Sequence, residues 1–185
     1  MDEPLLVVVT GPPASGKSSL ARDLAAELRI PFLSKDEFKE RLYEEIGSGE
    51  EMEERVERAA LAILYSVAAS NLNVGVSVLV ESNFDANSDL RPLRGLDARI
   101  VQIHCGGDAG ELAAQFRDRA ASGKRHPGHD DEPEDADEVR RKIEAGLWDP
   151  LDLPGELIRV DDHAAARELA AGDVFIFARR GTSTS

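Results

Sequence analysis

TGPPASGKSS, residues Thr10 to Ser19, follows the apolar run Leu5-Leu6-Val7-Val8-Val9 and leads into Leu20, Leu24 and Leu28 at i, i+4 and i+8. An unbroken leucine and β-branched run that ends in a glycine turn reads as a strand buried on both faces of a parallel sheet. The helical spacing that begins at Ser18 ends before Pro31. Between the two, Gly11 to Ser18 fits G-x-x-x-x-G-K-[ST] at every fixed position, in the strand, loop and helix context that the motif requires. Glycines let the backbone curl so that its N–H groups converge on phosphate, and the following helix adds its positive end. Lys17 is placed to reach the β- and γ-phosphates and Ser18 to ligate Mg²⁺. Gly11, Pro12, Pro13, Ala14, Ser15, Gly16, Lys17, Ser18 and Ser19 are thus expected to bind a nucleoside triphosphate, with ATP and Mg²⁺ as the ligands and Ser18 on the metal.

Further strands are expected at Phe32-Leu33, Val74–Glu81, Arg99–Cys105 and Leu157–Val160, with Val74–Glu81 and Arg99–Cys105 internal to the sheet. Helices are expected from Glu37, over Glu50 to about Asn71, over Glu111–Ala121, over Asp137–Ala145 and over Ala164–Ala171. The acidic first turns of the Glu50 helix suit its N-terminus. Phe175-Ile176-Phe177 is apolar without declaring a strand or a helix. Strands alternating with helices imply an α/β fold: a three-layer, doubly wound parallel sheet of about five strands, with its ligand crevice at the carboxyl ends of the strands. Residues 1–180 read as one domain with a small lid segment around 117–135, and 181–185 as a disordered tail.

Composition narrows the partners. The 185 residues carry a formal net charge of -14, which repels nucleic acid and anionic membranes. A single cysteine, Cys105, forms no internal disulfide, and no apolar run approaches the roughly 18–20 residues that cross a bilayer. A cytoplasmic location is the expectation. Cys105 reads as a buried thiol at a strand end, and Trp148 as an anchor of the core or lid.

The phosphate loop and its flanks resemble the P-loop NTPases. The chain has no Asn-Lys-x-Asp to read guanine and no room for the extra helical domain of an AAA motor. Ser34-Lys35-Asp36-Glu37-Phe38, after the second strand, is similar to an element of the small kinases of the chloramphenicol phosphotransferase, zeta-toxin and polynucleotide 5′-kinase type. That resemblance implies that Asp36 accepts the proton of the hydroxyl being phosphorylated. The expected topology sets the end of the second strand beside the end of the first, so that Asp36 faces the γ-phosphate. The competing reading makes Asp36 the N-cap of a helix that starts at Glu37. Glu81, followed by Ser82 and Asn83, ends an apolar strand where P-loop proteins carry an acidic residue near the metal. In zeta-toxin-like kinases a glutamate here contacts the acceptor, so both roles stay open for Glu81, and Asn83 joins it as a substrate contact.

Arg117, Arg119, Lys124 and Arg125 gather beside glycines in an otherwise acidic chain, which suits a lid that closes over phosphates. Arg117 and Arg119 lie about 200° apart on a helix, so one of them is structural. The buried stripe Leu112, Phe116, Ala120 runs nearer Arg119, which favours Arg119 and Arg125 as the pair on the transferring group. The alternative is a solvated basic face paired with the acidic run Asp130–Glu138. Arg125-His126-Pro127-Gly128-His129 is similar to an element of uncharacterised bacterial kinase-like ATPases, with His126 and His129 as candidate substrate contacts. Zinc would need about four ligands, and only His104 and Cys105 are further candidates.

The sequence therefore predicts a Mg²⁺-dependent phosphotransferase that moves the γ-phosphate of ATP to a hydroxyl of a small molecule, with Lys17, Asp36, Arg119 and Arg125 catalytic. The acceptor classes that remain are an antibiotic, a sugar or a nucleoside. A nucleoside monophosphate kinase would need further arginines, with Arg41 and Arg91 the obvious spares. A regulatory ATPase that works through a partner is the reading from another class.

Overall fold

A computed structural model describes residues 3–47, 49–86, 90–123, 126–129, 131–161, 168–169 and 171–180. The strands are β1 (Leu5–Thr10), β2 (Phe32–Ser34), β3 (Val78–Glu81), β4 (Arg99–Cys105) and β5 (Glu156–Val160). They form one 5-stranded sheet of order β2-β3-β1-β4-β5, parallel throughout. The helices are α1 (Lys17–Leu28), α2 (Lys35–Ile46), α3 (Glu50–Leu72), the short α4 (Arg91–Arg94), α5 (Ala109–Ala121), α6 (Ala136–Glu144) and α7 (Ala171–Arg180).

Strand β1 explains the layering. Leu5, Val7 and Val9 pack with Leu20 and Leu24 of α1 and with Val174 and Ala178 of α7. Leu6 and Val8 point to the opposite face, against Leu64, Ala68 and Leu72 of α3. Alternate residues of an unbroken apolar strand are thus buried on the two faces, and helices cover both. This is the expected three-layer α/β sheet.

The expected adjacency of β1 and β2 does not hold. Strand β3 lies between them, with Glu81 in register with Val9 on one side and Ser34 on the other. The four residues of β3 are all buried and need hydrogen-bonding neighbours on both edges, whereas β2 has only three residues and tolerates the sheet's edge. Strand β3 is also shorter than Val74–Glu81. Asn71 and Leu72 carbonyls accept from Val74, Gly75 and Val76, with Gly75 at φ 79, so these residues close α3 instead of extending the sheet. Val74 is accordingly 73% exposed.

Helix α2 begins two residues earlier than expected, with Ser34 in the N-cap position and no side-chain cap bond. Asp36 therefore lies inside the first turn, and the capping role weighed for it is not the one it has. Phe175-Ile176-Phe177 is helical: Ala171, Val174 and Ala178 recur at i, i+3 and i+7 on the buried side of α7. Most of the expected helix Ala164–Ala171 lies outside the described residues, as do 181–185. No helix among the described residues is long and apolar enough to cross a membrane.

The stretch between α5 and α6 returns to α2 through a 3₁₀ turn, Pro127–His129. Gly128 lies flat on the Tyr43 ring, and a Cβ placed there would stand 2.3 Å from Tyr43 Cδ2. His129 Nε2 meets Glu40 Oε1 at 2.8 Å. Gly128→Ala is therefore expected to destabilise the fold by about 1–3 kcal/mol, through overpacking on a buried ring, read as a lower urea midpoint at unchanged slope. An unchanged midpoint would show that Tyr43 yields freely.

Candidate active site

The phosphate loop keeps the shape that its sequence demands. Gly11 has φ 143 and Gly16 φ 79, and Ala14, without a glycine's freedom, still sits at φ 64. A Cβ on Gly11 would stand 2.1 Å from the Cys105 carbonyl oxygen, so only glycine fits where the loop leaves β1. The hydroxyl of Ser15, 9% exposed as a residue, has no hydrogen-bond partner. A buried orphan hydroxyl in a curled, glycine-flanked loop suits an anion that supplies the missing contact.

Beneath the loop lies Glu81, 2% exposed. Ser18 Oγ donates to its Oε1 at 3.0 Å and Ser34 Oγ to its Oε2 at 2.7 Å, while Lys17 Nζ stands 3.9 Å away. Lys17 also donates to the Pro12 carbonyl at 3.4 Å. The carboxylate thus ties the ends of β2 and β3 to the start of α1. Ser18 and Glu81 together form a hard oxygen donor set that fits Mg²⁺.

Two cavities open on this loop. One, of about 280 Å³, is lined by loop residues Ala14 to Ser19 except Ser15, together with Gln115 and Arg119. The other, of about 540 Å³, holds Asp36, Asn83 and His129. Lys17 and Arg119 line both. The two cavities therefore meet at a pair of cations, and Asp36 lines only the larger one.

The fold places Arg119 and Arg117 differently. Arg119 stacks on the Phe116 ring at 5.3 Å and meets Asp131 at 3.3 Å. Arg117 is half exposed, meets Asp137 at 3.5 Å and lines neither cavity. Both arginines thus contact the acidic run that was the alternative reading, yet only Arg119 does so at the cavity wall. Arg125 and Lys124 lie outside the described residues. His126 accepts from the Gly128 amide at 3.1 Å through Nδ1 and does not line the large cavity. Arg41 is 80% exposed beside Glu44, away from the cavity.

Sequence reasoning missed the charge network on the cavity floor. Lys35 and Lys39, 5% and 8% exposed, converge on Glu57 at 2.6 and 3.4 Å, and Lys39 also meets Glu53 at 3.9 Å. Lys35 donates to Asn83 Oδ1 at 2.9 Å as well. The signal was present: Lys35 and Lys39, like Glu53 and Glu57, are spaced i, i+4 and each pair shares a helix face. Burial raises the Glu57 carboxyl, but Lys35 and then Lys39 outweigh it and hold the group below its ordinary 4.5. Burial lowers Lys39, but Glu57, Tyr43 and Glu53 outweigh it and hold the group above 10.5.

A carboxylate with a depressed value contributes stability above its unfolded value and loses it as pH falls through the folded one. A lysine with a raised value contributes below 10.5 and loses it as pH climbs through the folded value. Glu57→Gln is therefore expected to lower Tm at neutral pH and to flatten the loss of Tm on acidification below about pH 4.5. Parallel acid limbs for wild type and variant would remove Glu57 from the network.

Cys105, 1% exposed, has its thiol pushed up to about 12 by burial, partly offset by Lys17, and is inert at neutral pH. Trp148 packs with Ala113 and Phe116 of α5 and Ala136 and Val139 of α6 and also lines the large cavity.

Residues 6–142 match the model of a family described as an AAA domain. The chain belongs to that family. The membership reaches from β1 into α6, which takes in the phosphate loop, Asp36, Glu81 and Arg119. A solved structure of an inferred kinase from Chloroflexus aurantiacus is 34% identical over 98% of this chain and 100% of that one, with a TM-score of 0.82. A sugar kinase from Janibacter sp. HTCC2649 shares the fold at a TM-score of 0.60 and 16% identity, over 98% of this chain and 99% of that one. A curated relative, the cytidylate kinase of Ignicoccus hospitalis, is 50% identical over 42 residues, 23% of this chain and 24% of that protein. The match thus spans about a quarter of the curated relative. This member of the family has the P-loop kinase fold, with its loop, carboxylates and cations gathered at the carboxyl edge of the sheet.

Proposed function

We propose that the protein is a Mg²⁺-dependent phosphotransferase that moves the γ-phosphate of ATP to a hydroxyl of a small molecule. The observation that carries this is the meeting of the two cavities at Lys17 and Arg119, most of the loop lining the smaller one and Asp36 the larger. In this reading residues 11–19 hold the triphosphate, and Lys17 takes its β/γ end. Ser18, with Glu81 behind it, holds the magnesium, which when bound neutralises phosphate charge. Asp36 orients the acceptor hydroxyl and takes its proton, while Arg119, with Arg125, meets the charge on the transferring group. Asn83 and His129 contact the acceptor, and His126 supports the turn that brings His129 there. Residues 1–180 act as one domain, with the segment around 117–135 as its lid. Exclusion of water by that lid favours an alcohol acceptor over hydrolysis.

A nucleoside monophosphate kinase is the second reading, favoured by the short match to cytidylate kinase. An acceptor phosphate calls for arginine forks, and Arg119 is the one arginine among the described residues that line the large cavity. The test is a screen of sugars, nucleosides, antibiotics and nucleoside monophosphates with γ-labelled ATP, run beside Lys17→Ala as the blank. Label transferred to an alcohol supports the first reading, and label transferred only to monophosphates replaces it with the second. Partner-stimulated hydrolysis without any acceptor would instead make the protein a regulatory ATPase.

A further inference from the structure

The cavity that holds Asp36 has a neighbour. A second space, of about 400 Å³, shares Lys35, Glu57 and Asn83 with it and is otherwise walled by Leu61, Tyr65, Phe84 and Pro92, with Ser82 and Asp85 as its own polar residues. The Lys35 contacts to Glu57 and Asn83 thus lie between a charged chamber and a more apolar one. Tyr65 and Phe84 lie nearly parallel, 12° between planes and 6.4 Å between centroids, so the more apolar chamber has an aromatic wall. Ser82 lines the same chamber at 3% exposure, and its hydroxyl has no hydrogen-bond partner. A buried hydroxyl left unsatisfied is costly, and a ligand atom that pairs with it recovers that cost.

We infer that the acceptor is bipartite: a hydroxyl-bearing polar head beside Asp36, joined to a planar aromatic group that enters the Tyr65–Phe84 chamber and meets Ser82 with a polar atom on its edge. The head's role rests on the phosphotransferase reading, whereas the aromatic subsite stands on the second cavity alone. Ring faces favour another ring over an alkyl group, and cavities of roughly 300–1,000 Å³ suit ligands larger than a single sugar. The shared residues place the link between the two halves at Lys35 and Asn83, so the hydroxyl and the ring are separated by a short polar spacer. A simple monosaccharide would leave the aromatic chamber empty.

The test is titration calorimetry of the full chain with 1-phenylethane-1,2-diol and with propane-1,2-diol, in the presence of a non-hydrolysable ATP analogue. The phenyl diol is expected to bind at least about tenfold more tightly, the effect of burying one ring. Leu61→Trp, which fills the chamber, and Tyr65→Ala, which removes half of the aromatic wall, are each expected to cut that preference to under about threefold. Equal or undetectable affinities for the two diols in wild type, or a preference that survives in both variants, overturns the subsite. Transfer from ATP is followed in the same samples. A preference intact without transfer to either diol counts against the kinase reading and keeps the subsite, while transfer with no preference does the reverse.

Discussion

Asp36→Asn is expected to lower kcat for transfer to the cognate acceptor by about 10²–10⁴ while leaving ATP affinity within about twofold. The size is that of a lost general base, because asparagine keeps the shape of the side chain and the capacity to accept one hydrogen bond but takes up no proton. Asp36 lines the large cavity together with Lys17 and Arg119, and it does not line the smaller cavity around the loop. ATP binding is therefore expected to survive the change. The position of Asp36 in the helix sharpens the experiment. Ser34, not Asp36, precedes the first turn of α2, so the substitution removes no N-cap bond and thermal stability should move little. A loss of transfer at unchanged Tm then reads as chemistry rather than as fraying of α2. Equal kcat for wild type and variant would end the assignment of Asp36 as base. Partner binding that still depends on nucleotide, with no transfer in either protein, would favour the regulatory alternative.

Legibility in the sequence followed the range of the contacts. The strand, loop and helix from Leu5 to Leu28 are contiguous, and their glycines, apolar run and i, i+4 leucines each state a local requirement, so this unit was legible as strand, loop and helix. Strand β4 was also legible, since Arg99–Cys105 is buried along nearly its whole length and flanked by turns. Strand order was not legible, because nothing local to Phe32–Ser34 says that Val78–Glu81 will slide between it and β1. The start of β3 was hidden by Val74 and Val76, β-branched residues spent on a turn that closes α3. In the candidate site, the motif picked out the loop, the resemblance to small kinases picked out Asp36 and helix geometry favoured Arg119, and all three line the cavities at the carboxyl edge of the sheet. The Lys35–Glu57–Lys39 network was overlooked because glutamates early in α3 also serve as ordinary N-terminal charges, and only the packing of α2 on α3 turns them toward buried lysines. Ser34 likewise gained meaning only when β3 brought Glu81 beside it.

Glu81→Gln separates the two roles that the sequence left open for this residue. The carboxylate accepts from both Ser18 and Ser34, stands 3.9 Å from Lys17, and does not line the cavity that holds Asp36. Glu81 is 2% exposed, whereas its contact to Ser18 would let the two residues hold a metal together. The amide that replaces it presents an NH₂ group where a serine hydroxyl donates, and it removes a negative charge 3.9 Å from Lys17. Magnesium affinity is therefore expected to fall by about 10–100-fold, the range for a lost group behind a metal ligand. Turnover at fixed, sub-saturating Mg²⁺ falls with it and recovers as Mg²⁺ is raised, while acceptor KM at saturating metal stays near wild type. Steady-state kinetics over a Mg²⁺ series checks this. An acceptor KM raised tenfold at every Mg²⁺ concentration, with the metal dependence unmoved, would transfer Glu81 to the acceptor side. The Ser18 and Ser34 bonds make the metal outcome the expected one, since a carboxylate whose two oxygens already accept from Ser18 and Ser34 is held at the start of α1 and the end of β2 and does not line the cavity of Asp36.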